Sequence, residues 1–474
     1  MAESIMSGRS KEAALVFSAL LAVLPAVSHP QPQELPLGQV IEKVTCRADS
    51  SQSYALFLPS NYARETKWPI LYALDAGARG RLPVERFKEA AETYGYIVAG
   101  SNNSRNGPPE IAAAAVRALL GDTRDRLSID DRRVYFTGFS GGARVAVSVG
   151  SSFNGLVAGV IGCGAGFPSR VQPSGSIPFA YFGTAGTEDF NFPEMRQLDR
   201  ALNSFAIPHR VAIFQGAHDW PPKELCVEAI GWMELQAMRS GIQERRESLI
   251  DELLHKGVQK AVSAESSGRM YDALLEYSAL ARDFNGLRDV TGFQRKVDQL
   301  KASKEVQQSI RREREEEESQ LRWVARLMGL KESYASPEDR AQAVPELSAS
   351  ISDLRRRAGS SEPSADRLVA RRVQGQFLVQ LTQEAASYRE SKDYAAAVFN
   401  LSLAVQIRPD SARLFYNLAC ANSLSGKKRE ALAALKSAID KGFTDITALQ
   451  TDPDLDGLRK EAAFQRILET LKRE

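Results

Sequence analysis

The stretch Arg133-Val-Tyr-Phe-Thr-Gly-Phe-Ser-Gly-Gly-Ala-Arg-Val-Ala-Val-Ser-Val-Gly150 constrains this chain more than any other. Val134 to Thr137 is a short apolar run of β-formers, as a buried strand requires. Gly138-Phe-Ser-Gly-Gly142 follows at once, and Ala143 to Ser148 can continue as a helix packed on that strand. Ser140 therefore sits at a sharp strand-to-helix turn. The glycines two before and two after it let backbones pass where a Cβ would clash. Such a turn lifts a serine hydroxyl clear of the sheet end, at a helix N-terminus, with the N–H of Gly141 aimed at any anion that forms beside it. The G-x-S-x-G pattern in this setting predicts a nucleophilic serine.

Around it, segments of strand and helix character alternate. Strands are expected at Gln39–Cys46, Ser53–Leu58, Trp68–Leu74, Tyr96–Gly100, the elbow run, Gly155–Gly162, Pro178–Phe182 and Arg210–Phe214. Helices are expected at Val84–Tyr94 and Pro109–Leu120. This alternation predicts an α/β domain over residues 38–240, a mostly parallel sheet with helices on both faces. Ligand sites in such folds gather beyond the carboxyl ends of the strands. Two loops there carry the partners a serine needs. Gln215-Gly-Ala-His-Asp-Trp-Pro-Pro222 offers His218 as general base, a setting that His29, His209 and His255 lack. Gly183-Thr-Ala-Gly-Thr-Glu-Asp-Phe-Asn191 offers Asp189, or the adjacent Glu188, as the acid that orients it. The order serine, acid, histidine is that of α/β-hydrolases.

On these residues the segment from about 38 to 240 resembles the α/β-hydrolase superfamily. The Arg133-Val-Tyr-x-Thr-Gly-x-Ser-x-Gly-Gly run resembles its secreted esterase branch, with polyhydroxybutyrate-depolymerase-like and feruloyl-esterase-like enzymes. The resemblance implies ester hydrolysis through an acyl-serine without a cofactor, with Ser140 as nucleophile, His218 as base and Asp189 as acid. It implies a second oxyanion N–H, beside that of Gly141, from Ala76 or Gly77. Gly186 stands where such relatives often carry an acid in a G-x-x-D run. Asn102, Asn103 and Arg105 follow a strand and are candidates to bind a sugar or an anionic group, or simply form a turn. Phe139, Phe190 and Trp220 are candidates for an aromatic wall or for core packing.

Composition narrows the partners. With 61 Lys and Arg against 59 Asp and Glu, the net charge of +2 gives no basic field for nucleic acid. Four histidines and four cysteines without C-x-x-C or H-E-x-x-H make a metal site an unexpected feature. Arg9 and Lys11, the apolar run Ala13 to Leu24 and the small residues ending at Ser28 predict a signal peptide over residues 1–28. The run is too short for a stable membrane span, so export to the periplasm or the extracellular space is expected. Disulfides then become possible, but their pairing is not legible.

From about Gly241 the pattern turns to helix period. Residues 241–330 read as helical, and the run Arg311-Arg-Glu-Arg-Glu-Glu-Glu-Glu318 as a solvated helix face or a helical linker. Residues 331–366 read as linker. In 367–474 an offset of 34 aligns Ala385, Ala397, Leu401 and Ala404 with Ala419, Ala431, Leu435 and Ala438. That period resembles tetratricopeptide repeats and implies either a protein-docking surface or a structural appendage. The whole predicts an exported serine hydrolase acting on a small-molecule or polymer ester. The alternative is a hydrolase-like scaffold without catalysis that acts through its repeats.

Overall fold

The eight expected strands form one sheet in the computed structural model, which describes residues 35–471 apart from 154, 206 and 335–338. The expected signal peptide lies outside the described residues. In chain order the strands are β1 (Val40–Thr45), β2 (Ser53–Phe57), β3 (Trp68–Asp75), β4 (Ile97–Ser101), β5 (Ile129–Phe139), β6 (Gly159–Cys163), β7 (Ala180–Gly186) and β8 (His209–Phe214). They lie side by side as β1-β2-β4-β3-β5-β6-β7-β8. Only β2 runs antiparallel to its neighbours; β3 to β8 are parallel.

Parallel strands need crossovers, and helices supply them. These are α1 (Arg81–Tyr94), α2 (Pro109–Arg126), α3 (Gly141–Ser152), α4 (Phe192–Ser204) and α5 (Lys223–Arg239). Helix α1 begins three residues before the sequence suggested, because Pro83 is tolerated in a first turn, where N–H groups lack intrahelical partners anyway. The two faces of each strand decide which helix covers it. Leu71, Tyr135, Ile161 and Phe182 pack against Val84, Phe87 and Ala90 of α1 and Ala229, Ile230 and Met233 of α5. The neighbouring residue Tyr72 points the other way, its hydroxyl 2.8 Å from Thr123 of α2. Both faces are thus buried, which is why these strands are continuously apolar.

The second half is helical throughout: α6 (Glu247–Ser266), α7 (Met270–Asp283), α8 (Thr291–Ala302), α9 (Lys304–Ser333), α10 (Arg340–Ala358), α11 (Ala365–Glu390), α12 (Tyr394–Ile407), α13 (Ala412–Leu424), α14 (Lys428–Asp440), α15 (Ile446–Thr451) and α16 (Ala462–Leu471). The residues aligned by the 34-residue offset are all buried, in the paired helices α11–α12 and α13–α14.

The packing differs here from three sequence expectations. Residues 331–366 are not simply a linker: Leu347, Ile351, Leu354 and Ala358 recur at helical spacing and bury α10 against Leu327 of α9 and Val369 and Val373 of α11. Pro345, inside α10, costs one helix hydrogen bond and disguises that pattern. The charge run is not simply a solvated face either. Glu313 pairs with Arg196 of α4 at 3.1 Å, and Glu317 with Arg200 at 2.8 Å. Glu316 lies 3.4 Å from Arg372 of α11. The expected boundary near residue 240 also falls within packed structure, since Leu235 and Met238 of α5 share one core with Ile250 of α6 and Tyr277 of α7.

Candidate active site

Ser140 lies between β5 and α3 with φ 56° and ψ −119°, a strained conformation for a residue with a side chain. Its neighbours show how the turn is permitted. A Cβ on Gly138 would stand 2.2 Å from the carbonyl oxygen of Gly142, and one on Gly142 would stand 2.1 Å from that of Leu74. No side chain fits either gap. The Ser140 N–H donates to the Cys163 carbonyl at 2.8 Å, anchoring the turn to the end of β6. Gly141 provides the first residue of α3.

His218, in the β8–α5 loop, has 16% of its side chain exposed. Its Nδ1 lies 2.9 Å from Oδ1 of the fully buried Asp189. Two aromatic rings grip the imidazole: Phe139, the residue before the serine, with centroids 4.5 Å apart, and Phe190, the residue after the acid, at 4.2 Å. A Cβ on Gly164, just past β6, would come within 3.2 Å of His218 Cε1. The imidazole therefore neighbours Phe139, at the end of β5, and Gly164, just past β6. No hydrogen bond joins Ser140 Oγ to it among the described residues; catalytic bonds commonly close only around substrate.

The choice between the two acids is geometric. Glu188 turns away to Arg371, 2.5 Å off, whereas Asp189 meets the histidine. Position 186 has no room for a carboxylate, because a Cβ on Gly186 would lie 2.3 Å from the Gly216 carbonyl oxygen. The carboxylate that meets the histidine lies three residues further along, where the chain turns back through Asp189 N–H to the Gly186 carbonyl at 3.1 Å.

The β3–α1 loop is organised by Asp75, a residue the sequence reading did not single out. This buried carboxylate receives the Gly77 N–H at 2.7 Å, Arg79 at 2.8 and 2.9 Å, and Trp220 Nε1 at 2.8 Å. Burial by itself would raise its pKa, but the bonds from Arg79, Trp220 and Gly77 outweigh that and hold it below the usual carboxylate value. The Gly77 amide is thus committed to Asp75. Trp220 is not a wall of an open pocket: it is buried, bonded to Asp75 and packed on Phe139 at 5.7 Å. Phe139 is likewise buried and presents its ring to the histidine.

The expected specificity residues divide. Asn103 binds the Ser53 N–H and the Ser51 carbonyl, and Asn102 the Glu42 carbonyl, so both tie the end of β4 to the sheet edge rather than facing the serine. Arg105 is exposed and bridges through its backbone to Gly77. The residue missed in this loop is Asn106. Its N–H donates to the Ala76 carbonyl at 2.9 Å, and its side-chain oxygen occupies the space that a Cβ on Gly141 would need. An Asn inside an Asn/Ser/Gly loop carries no local sign of that role.

The sheet order, the helices on both faces and the serine turn after the fifth strand decide the architecture. The fold is that of an α/β hydrolase. A family model described as "A/B hydrolase-like, N-terminal domain" matches residues 377–474, within the helical half. Among curated proteins, the chain is similar to a chloroplastic protein of Arabidopsis thaliana, with 30% identity over 89 residues. That match takes in 18% of this chain and spans about a quarter, 27%, of the relative's length. Solved structures similar to it include S-formylglutathione hydrolase from Staphylococcus aureus, at 13% identity and TM-score 0.32, covering 38% of this chain and 90% of that one. A ferulic acid esterase matches at 17% identity and TM-score 0.35, covering 41% and 97%. Likeness at this level assigns no substrate to an α/β-hydrolase fold, which hosts many chemistries.

All four cysteines are buried free thiols, and burial pushes that of Cys163 up to about 12. Among the described residues no helix is long and apolar enough to cross a membrane.

Proposed function

We propose that this chain is a serine hydrolase that cleaves a carboxylic ester through Ser140, His218 and Asp189. The observation that carries the reading is the Asp189–His218 bond at 2.9 Å, with the imidazole packed on Phe139, the residue before the serine. Nδ1 is engaged by Asp189, which leaves Nε2 for the serine. In this scheme Nε2 takes the Ser140 proton as Oγ attacks the ester carbonyl, and the N–H groups of Gly141 and Ala76 stabilise the oxyanion. Collapse expels the alcohol, protonated by His218, and leaves an acyl-serine. Water, activated by the same imidazole, then releases the acid and restores the serine. This chemistry takes no cofactor. Export through a signal peptide over residues 1–28, and docking of a protein partner on the tetratricopeptide-like repeats, remain part of the proposal.

Fluorophosphonate labelling of the purified protein tests it. Wild type is expected to label and Ser140→Ala not to, and His218→Ala should lose about a thousandfold or more of turnover on p-nitrophenyl esters. Equal labelling of wild type and Ser140→Ala overturns the reading. Absence of turnover, with a partner captured through residues 367–474, would instead establish the scaffold alternative. A panel of feruloyl, acetyl-sugar and hydroxyalkanoate esters would then define the substrate.

A further inference from the structure

The loop that carries Asp189 is gripped by the helical half at each residue around the acid. Arg372 of α11, 1% exposed, donates Nε–H to the Thr187 carbonyl at 2.8 Å. Arg371 pairs with Glu188. Gln320 of α9, 3% exposed, donates Nε2–H to the Phe190 carbonyl at 2.7 Å and to Gln376 at 3.1 Å. The Arg372 guanidinium also lies over the Phe192 ring, 3.9 Å from its centroid, and 3.4 Å from Glu316. Helix α11 comes so close that a Cβ on Gly375 would touch Phe190 at 3.3 Å. Phe190 in turn is the ring 4.2 Å from the imidazole.

We propose that Gln320, Arg371 and Arg372 are positioning residues for the Asp189–His218 pair, so that catalysis depends on helices α9 and α11. The inference rests on the hydrolase reading and gives the helical half a part in the same site. A buried arginine is a poor way to gain stability, because desolvating the charge costs on the order of what its partners return. What it provides is a planar fork of fixed geometry. Here the fork spans a loop carbonyl, an aromatic ring and an acid of α9, and that set defines one loop conformation. Asp189 needs such external support. Among the described residues its Oδ2 is buried without a hydrogen-bond partner, and within its own loop Oδ1 is also bonded by the Asn191 N–H. Asp189 is also among the acids whose charge acts on Arg372. A displacement of about 1 Å at a catalytic group costs up to about a hundredfold in rate.

The test uses full-length Arg372→Met, Arg372→Lys and Gln320→Leu. Active sites are counted by fluorophosphonate titration, and hydrogen exchange is followed in the peptide spanning residues 186–192. The expected result is a fall in kcat per titrated site of about ten- to a hundredfold, with KM changed less than about threefold. Exchange in that peptide should speed up at least about tenfold while distant core peptides keep their rates. Lysine, which keeps the charge but not the fork, should restore only part of kcat. Gln320→Leu adds no charge change and serves if the arginine variants fold poorly. Unchanged kcat per site in folded variants overturns the proposal, whether or not the loop exchanges faster. Should wild type itself fail to label, the hydrolase reading falls, and faster loop exchange in the variants would still support the clamp while unchanged exchange would remove it.

Discussion

At the scale of single residues, the site is built from groups whose own geometry is costly and is held by neighbours. Ser140 keeps a strained backbone because Gly138 and Gly142 leave room for it and Cys163 anchors it. Asp75 plays the same part for the β3–α1 loop, and its depressed pKa makes a pH prediction. A carboxylate whose folded pKa lies below its unfolded value stabilises the fold above the ordinary value of about 4, and loses that contribution as pH falls through the folded value. Asp75→Asn should therefore be less stable than wild type at pH 7, with the gap narrowing as pH falls below about 4; urea melts at both pH values measure it. Nothing in the sequence marked Asp75 out, since an Asp opening a turn is common. Its importance comes from Trp220, 145 positions away.

At the scale of elements, α9 shows how a charge pattern misleads. A run of alternating Arg and Glu on a helix is usually solvated, and i,i+4 pairing suffices to explain it. Here the glutamates on one side meet Arg196 and Arg200 of α4, and Arg196 is buried with its Nη2 on Tyr271 at 2.6 Å. Burial alone would lower the Arg196 pKa; Glu313, Tyr271 and Asp199 outweigh it and raise it. Removing one partner of such a pair leaves a buried charge short of compensation. Glu313→Gln should cost up to about 3 kcal/mol, towards the lower end for broken buried pairs because Asp199 and Tyr271 remain. Glu315→Gln, on an exposed position of the same run, should change stability by less than about 0.5 kcal/mol. Chemical denaturation of the two variants separates a docked face from a solvated one.

At the scale of the whole molecule, residues from Leu37 onward form one compact unit. Leu235 and Met238 leave the sheet layer to join the α6–α7 core, and Arg210 of β8 reaches Glu276 of α7 at 2.8 Å. The two halves should therefore unfold together. Far-UV circular dichroism is weighted towards the helical half. Tryptophan fluorescence is weighted towards the sheet half, which holds Trp68, Trp220 and Trp232. Their thermal midpoints should coincide within about two degrees; midpoints more than about five degrees apart would show two independent domains.

The α/β fold was legible because it is written locally. Period-two and continuous apolar runs name strands, glycines two before and two after a serine name a tight turn, and a 34-residue offset of small residues names paired helices. The residue types at the site were legible for the same reason: Ser140, His218 and Asp189 each sit in a loop just beyond a strand. The resemblance pointed to Asp189, but the local pattern alone left Glu188 open beside it, since the two differ by one position and opposite directions. The docking of α9, α10 and α11 was not legible, nor was the burial of Arg372 against the acid loop. The contacts of α9 and α11 with the sheet half join residues more than a hundred positions apart, and such contacts are fixed by how the packed layers close on one another, a property no local pattern carries.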